Sequence, residues 1–155
     1  MMITQPETAK PDRASLWRGL AIGLAVIGLL DSLYLTWVKL ANASAFCGGV
    51  GDCESVNASI YSEINGLPIA ALGAGAYAVM AVLLWLEGRG GAWAAWGPLA
   101  VFGLSFGGTL YSAYLTYIEV AVLRAICPYC VLSAIVVTLI CLLSVARLWQ
   151  PGAQS

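Results

Sequence analysis

The sequence contains no histidine and few charged residues, and both shortages restrict what the chain can do. Of its 155 residues, 7 are Lys or Arg and 8 are Asp or Glu, whereas 61% are hydrophobic. Soluble domains carry about 25% charged residues, so this chain has too little polar surface to face water on all sides. The net charge of −1 argues against a nucleic-acid partner, because phosphate binding requires basic patches. The composition therefore indicates a membrane protein.

Four apolar segments are long enough to cross a bilayer. A helix needs about 20 residues to span roughly 30 Å of hydrocarbon, and helices leave no backbone group unpaired in lipid. The predicted spans are residues 20–38, 67–86, 98–118 and 126–145. We therefore expect an all-α membrane protein, a four-transmembrane-helix bundle over residues 16–149. Residues 1–15 and 150–155 are expected to be disordered tails.

The distribution of Lys and Arg predicts the orientation of the bundle. Five of the seven basic residues lie on the side of the termini, and only Lys39 and Arg124 lie on the other. Basic residues favour the cytoplasm, so we expect a multi-pass protein of the bacterial inner membrane with cytoplasmic termini. The cysteine-bearing loop 39–66 then faces the oxidising periplasm. The first segment also imitates a cleaved signal peptide, but at about 19 residues it exceeds the usual apolar core of about 7–15.

The motif Cys127-Pro128-Tyr129-Cys130 opens the fourth span. A C-x-x-C motif is a redox dithiol or half of a metal site. Cys47, Cys53, Cys127 and Cys130 could together bind zinc, but the loop spacing, the oxidising compartment and the membrane position argue against it. At a helix N-terminus the positive end of the dipole lowers the pKa of the leading thiol. We therefore predict a redox-active pair here and no metal, with an inert disulfide as the alternative.

A second pair, Cys47 and Cys53, lies in the loop between the first two spans, with three glycines between the cysteines. The glycines predict a mobile loop, which suits a disulfide that exchanges with two partners; the alternative is a structural disulfide. Two dithiols on one face predict a relay by thiol–disulfide exchange. The sequence has neither a haem-attachment motif nor a dinucleotide-binding glycine fingerprint, so a membrane quinone beside Cys130 is the expected acceptor. Cys141, deep in the last span, is predicted to be a packing residue.

This ordered set of motifs resembles the bacterial disulfide-forming branch of the vitamin K epoxide reductase family. The matching positions, between residues 20 and 147, are Cys47, Cys53, Ser59, Gly66-Leu67-Pro68, Gly73, Tyr77 and Cys127-x-x-Cys130. An unrelated four-helix oxidase, the DsbB type, carries its C-x-x-C in the first outer loop, whereas here it comes second. The resemblance implies a thiol:quinone oxidoreductase that oxidises a periplasmic thioredoxin-like (DsbA-type) protein and so drives disulfide formation. Because the chain ends at Ser155, we expect that partner to be a separate protein.

The resemblance also implies roles for individual residues. Cys47 would be attacked by the partner, Cys53 would attack at Cys127, and Cys130 would pass electrons to ubiquinone or menaquinone. The quinone pocket would lie among the outer helix ends, capped by a short helix in residues 55–61. Its implied lining residues are Val56, Ser59, Tyr61, Gly73, Leu115 and Ala134.

Two other functions stay open on the sequence alone. A transmembrane carrier of reducing equivalents would require a cysteine pair buried in the middle of the bilayer. A structural membrane protein would use the disulfides only for stability.

Asp31 is the remaining unusual residue, because a carboxylate near mid-span costs about 2.5–3.5 kcal/mol unless it is neutral or hydrated. A proton route for quinone reduction is one interpretation. A protonated side chain bonded to a neighbouring helix, or one in a water-filled crevice, is the other.

Overall fold

The computed structural model describes residues 13–150; the expectations for residues 1–12 and 151–155 lie outside the described residues. The helices are α1 (Arg13–Leu40), α2 (Cys53–Ala58), α3 (Ile69–Glu87), α4 (Ala92–Tyr117) and α5 (Pro128–Leu148). A 3₁₀ turn (Ile60–Ser62) and two antiparallel strands, β1 (Glu63–Ile64) and β2 (Leu67–Pro68), lie between α2 and α3. A π-helical segment (Ile118–Leu123) continues α4.

Four helices, α1, α3, α4 with its π-helical extension, and α5, are long and apolar enough to cross a membrane. This confirms the predicted four-helix membrane bundle. Each helix runs past at least one end of its apolar segment, and α1 begins at Arg13, inside the predicted N-terminal tail. Polar and basic residues are tolerated at helix ends because long side chains reach the interface, so an apolar run underestimates helix length. The short loop helix α2 begins two residues before the expected range and ends at Ala58.

The bundle closes in the order α1, α3, α4 and α5, with α5 packed back on α1. Its core consists of side chains from all four helices: Ala21, Ala25, Tyr77, Met80, Leu84, Val101, Val136, Val137 and Ile140. Small residues bring the helices close, as membrane helices require in the absence of a hydrophobic driving force. At Gly28 the helix α1 lies directly against the ring of Tyr77 on α3.

A buried ion pair joins the bundle at the end opposite the cysteines. Arg147 on α5 donates to the Glu87 carboxylate at the end of α3, and their side chains are 11% and 4% exposed. Pairing offsets the cost of burying either charge alone. The pair therefore fixes the ends of α3 and α5 relative to each other.

We expect Gly28→Ala to destabilise the protein by about 1–3 kcal/mol, the usual cost of overpacking a core. A β-carbon at Gly28 would overlap the ring of Tyr77, which cannot swing away because its hydroxyl is bonded to Ser133. The free energy of unfolding in detergent measures the effect. Gly23→Ala on the same helix is the control, because nothing lies within 4 Å of its added carbon. Equal stabilities for the two variants would contradict the prediction.

Candidate redox site

A disulfide joins Cys47 and Cys53, with their Cα atoms 6.3 Å apart. Side chains from two membrane helices fix the chain just before it. The Tyr129 hydroxyl donates to the Phe46 carbonyl at 2.7 Å, and the Phe46 N–H donates to the Tyr34 hydroxyl at 3.2 Å. The disulfide loop is therefore attached at its first end to both α1 and α5.

The second end of the loop lies against the segment that leads into α5. The Asp52 N–H donates to the Ile126 carbonyl at 3.0 Å, and each of these residues immediately precedes a cysteine of a different pair. A β-carbon at Gly51 would overlap that carbonyl, and the φ of Gly51 is +82°. Close approach and backbone angle both require glycine there, which gives Gly51 a reason other than loop mobility. Cys53 and Cys127 are each only 2% exposed.

Asp52 also starts the helix that follows the disulfide. Its carboxylate accepts the Ser55 N–H at 3.0 Å and the Ser55 hydroxyl at 2.6 Å, an N-cap arrangement. The hydrogen bond from the Ser55 side chain is the main reason why the pKa of Asp52 falls below its ordinary value. The cap sets the first residue of α2 at Cys53, so the helix projects from the disulfide over the membrane helices.

Cys127 and Cys130 are free thiols at the start of α5. Cys127 is the N-cap residue and Pro128 is the first helical residue, where its missing N–H costs nothing. The Cys130 thiol, and then the N–H groups of Cys130 and Tyr129, lower the pKa of the Cys127 thiol against the opposing effect of burial. The direction is that expected at a helix N-terminus, but the neighbouring thiol is the largest cause.

Glu119 completes the surroundings of this pair, and sequence reasoning missed it. Its carboxylate accepts the Cys127 N–H at 3.2 Å and interacts with the Cys130 thiol, and the residue is only 4% exposed. The argument that singled out Asp31 was not applied to Glu119, because Glu119 lies one residue beyond the third predicted apolar segment. The one available signal was its place in the sequence, at the end of an apolar segment and eight residues before Cys127.

A cavity of about 570 Å³ lies beneath α2 and between the ends of the membrane helices. Cys127, Cys130 and Glu119 form part of its wall, which is otherwise mostly apolar. Five of the six residues expected to line a quinone pocket do line this cavity: Val56, Ser59, Tyr61, Gly73 and Leu115. A volume and an apolar wall of this kind are typical of small-molecule sites.

Ala134, the sixth expected residue, is not among those that line the cavity. Cys130, Ser133 and Val137 follow one another at intervals of three and four residues and form the inward face of α5. Ala134 is half-buried but does not reach the cavity. The inward residue at this level is Ser133, whose carbonyl accepts the Tyr77 hydroxyl at 2.9 Å.

Asp31 also belongs to the cavity wall. The residue is 7% exposed, and neither carboxyl oxygen has a hydrogen-bond partner within residues 13–150. The expected bond to a neighbouring helix is therefore not present among these residues. Cys141, by contrast, is buried in α5 and does not line the cavity. Both observations are what a packing residue would show.

Comparison with known proteins adds independent information. The model of the vitamin K epoxide reductase family matches residues 20–145, which reach from α1 to α5. A thiol-disulfide oxidoreductase of Arabidopsis thaliana is 35% identical over 112 residues, which are 68% of this chain and 30% of that protein. The chain therefore spans about a third of the length of this relative. Both matches agree with the resemblance that the cysteine motifs carry.

We expect the Cys127 thiol to react with a small alkylating reagent at lower pH than an ordinary cysteine. Its lowered pKa keeps the nucleophilic thiolate populated as the pH falls. The measurement is the alkylation rate at Cys127 against pH, by mass spectrometry, in a protein with Cys47, Cys53 and Cys141 changed to Ser. Adding Cys130→Ala removes the thiol donor, so the midpoint should rise. An unchanged midpoint would contradict the assigned cause.

Proposed function

Since the chain belongs to the vitamin K epoxide reductase family, we propose that it is a membrane thiol:quinone oxidoreductase. Electrons pass from a separate thioredoxin-like protein of the DsbA type through Cys47 and Cys53 to Cys127 and Cys130, and then to ubiquinone or menaquinone. The single observation that carries the proposal is the hydrogen bond from Asp52 to Ile126. It joins the two cysteine pairs directly above the cavity.

The first step is exchange between the partner and the loop disulfide. A partner thiolate attacks the sulfur of Cys47, which is half-buried, and Cys53, which is fully buried, leaves as the thiolate. The second partner thiol then attacks the mixed disulfide, so the partner becomes oxidised and both loop cysteines reduced. The difference in exposure supports Cys47 as the site of attack.

The second step transfers the electrons to the pair at the head of α5. Cys53 thiolate attacks the Cys127 sulfur of a Cys127–Cys130 disulfide, and Cys47 then closes the loop disulfide again. Cys127 and Cys130 are left as a dithiol. One loop disulfide and one α5 dithiol are the pattern seen in the structure, which in this scheme precedes delivery of electrons to the acceptor.

The cavity has the chemistry that a quinone headgroup requires. The ring is flat and apolar and carries two carbonyl oxygens, and the wall is apolar with hydroxyl and carboxyl groups at separate points. When bound, a quinone supplies an acceptor for two electrons and two protons. Cys130 lies on the wall and is the sulfur that would pass the electrons on, while α2 contributes Val56 and Asn57 to the cover of the cavity.

The position of the cysteines favours this enzyme over the two alternatives. A carrier of electrons across the membrane would need a pair in mid-bilayer, whereas both pairs lie at one end of the bundle. A purely structural role gives no reason for two free thiols on a cavity wall. The proposed location is the bacterial inner membrane, and the Lys and Arg distribution supports an orientation with the termini in the cytoplasm and the cysteines facing the periplasm.

We expect the purified protein to reduce quinone when a reduced thioredoxin-like protein is supplied. Short-chain ubiquinone and menaquinone analogues are the two acceptors to compare, and the fall in quinone absorbance is the measurement. Cys130→Ser should abolish the reaction, because the last sulfur of the relay is lost. Cys141→Ser is the matched control and should retain activity. Quinone reduction by Cys130→Ser at the wild-type rate would exclude the relay.

A further inference from the structure

Glu119 is a buried carboxylate for which the relay described above has no use. It is 4% exposed and has no Lys or Arg within ion-pair distance among residues 13–150. A carboxylate at such a position within a membrane span is costly, and ionisable residues there usually have a functional role. The contacts of Glu119 indicate what that role is.

The π-helical segment determines where the Glu119 side chain points. Within this segment Ile118 and Glu119 are buried, whereas Val120 and Val122 are more than half exposed. Arg124 ends the segment in a left-handed conformation, and the Glu119 carbonyl accepts both its N–H and that of Ala125. The local winding therefore turns Glu119 inward and sends the following chain towards the cysteine pair. Segments of this kind often occur at functional sites.

Glu119 contacts both cysteines of the pair in different ways. One carboxyl oxygen accepts the Cys127 backbone N–H at 3.2 Å, and the carboxylate also interacts with the Cys130 thiol. The first contact alone would be structural, since any oxygen acceptor could make it. The second contact is with a sulfur that changes its protonation state when the pair is oxidised.

The chemistry of the pair requires a group that exchanges protons. Oxidation of two thiols to a disulfide releases two electrons and two protons, and a quinone accepts both. The chain has no histidine, so carboxylates are the candidates. Asp31 and Glu119 both line the cavity. Of the two, only Glu119 forms a hydrogen bond with the pair, whereas the Asp31 carboxyl has no partner among residues 13–150.

We propose that Glu119 is the proton acceptor for the Cys127–Cys130 pair. As the S–S bond forms and two electrons pass to the acceptor in the cavity, the proton of the Cys130 S–H bond moves to the Glu119 carboxylate. From there the proton is delivered to an oxygen of the reduced acceptor, and Glu119 is ionised again. The proton of the Cys127 thiol leaves to water, and the second proton of the reduced acceptor comes from water. This inference rests on the proposed quinone reduction, and its test separates the two.

The test compares Glu119→Gln with wild type. The amide keeps an oxygen for the Cys127 N–H but cannot carry the proton. In a single turnover, with all thiols first reduced and a short-chain quinone added, the rate of quinone loss should fall by about 10²-fold or more, as for other general bases. Glu54→Gln is the matched control, because Glu54 is an exposed carboxylate on the nearby α2, and it should react at the wild-type rate.

A second readout needs no quinone. The negative charge of Glu119 raises the pKa of the Cys127 thiol, so Glu119→Gln should move the midpoint of Cys127 alkylation to lower pH. The other titratable groups on the segments packed around Glu119 remain unchanged in this variant. They are Arg124, Glu54, Tyr111, Tyr114 and Tyr117, which are exposed, and Tyr129, which is half-buried. A more reactive thiol together with slower quinone reduction is the signature of a lost proton acceptor, which a packing defect would not produce.

The outcomes are distinguishable. Wild-type quinone reduction with an equally fast Glu119→Gln variant would overturn this inference and leave the proposed function intact. Slower turnover with an unchanged alkylation profile would make Glu119 a structural acceptor and would also overturn it. No quinone reduction by wild type itself would overturn the proposed function and the inference together. Glu119→Asp, which keeps the carboxylate, should recover part of the rate.

Discussion

One hydrogen bond, from the Asp52 N–H to the Ile126 carbonyl, connects the loop to the bundle at the point where the two cysteine pairs meet. The bond is backbone to backbone, so it depends on the path of the chain rather than on any side chain. That path requires a residue without a β-carbon at Gly51. The buried positions of Cys53 and Cys127 and the covering of the cavity by α2 all follow from the docking of this loop.

The surrounding lipid explains why the rest of the molecule is so regular. A bilayer offers no partners to backbone groups, so the chain inside it must be helical, and long apolar runs are enough to reveal that. Regular structure ends where the chain approaches water. The disulfide loop, the two short strands and the left-handed residue Arg124 all lie at the cysteine-bearing end, where polar partners are available. The irregular part of the fold is thus also the part that contains or adjoins the two cysteine pairs.

The sequence was sufficient for the helix number and for both cysteine pairs as groups at one end of the bundle, and the family resemblance named five residues of the cavity wall. It was not sufficient for details that depend on helix rotation. Ala134 and Ser133 are adjacent in sequence, and only the packed structure shows that Ser133 is the one on the cavity wall. The inward position of the Glu119 side chain depends on the π-helical segment, because the wider turn changes the face on which each side chain lies. The sequence of Ile118–Leu123 shows no pattern that predicts a π-helix.

The hydrophobic core below the cavity has an electrical consequence. Met80, Leu84, Val101 and Ile140 are almost completely inaccessible, and beyond them Glu87 is held by Arg147. These four core residues form an insulating layer between the cysteine end and the far side of the membrane. If the relay works as proposed, electrons and protons enter and leave above this layer, so each turnover moves no net charge across the bilayer. Such a reaction would neither consume nor generate membrane potential, so the potential would not drive or oppose the step catalysed by this protein.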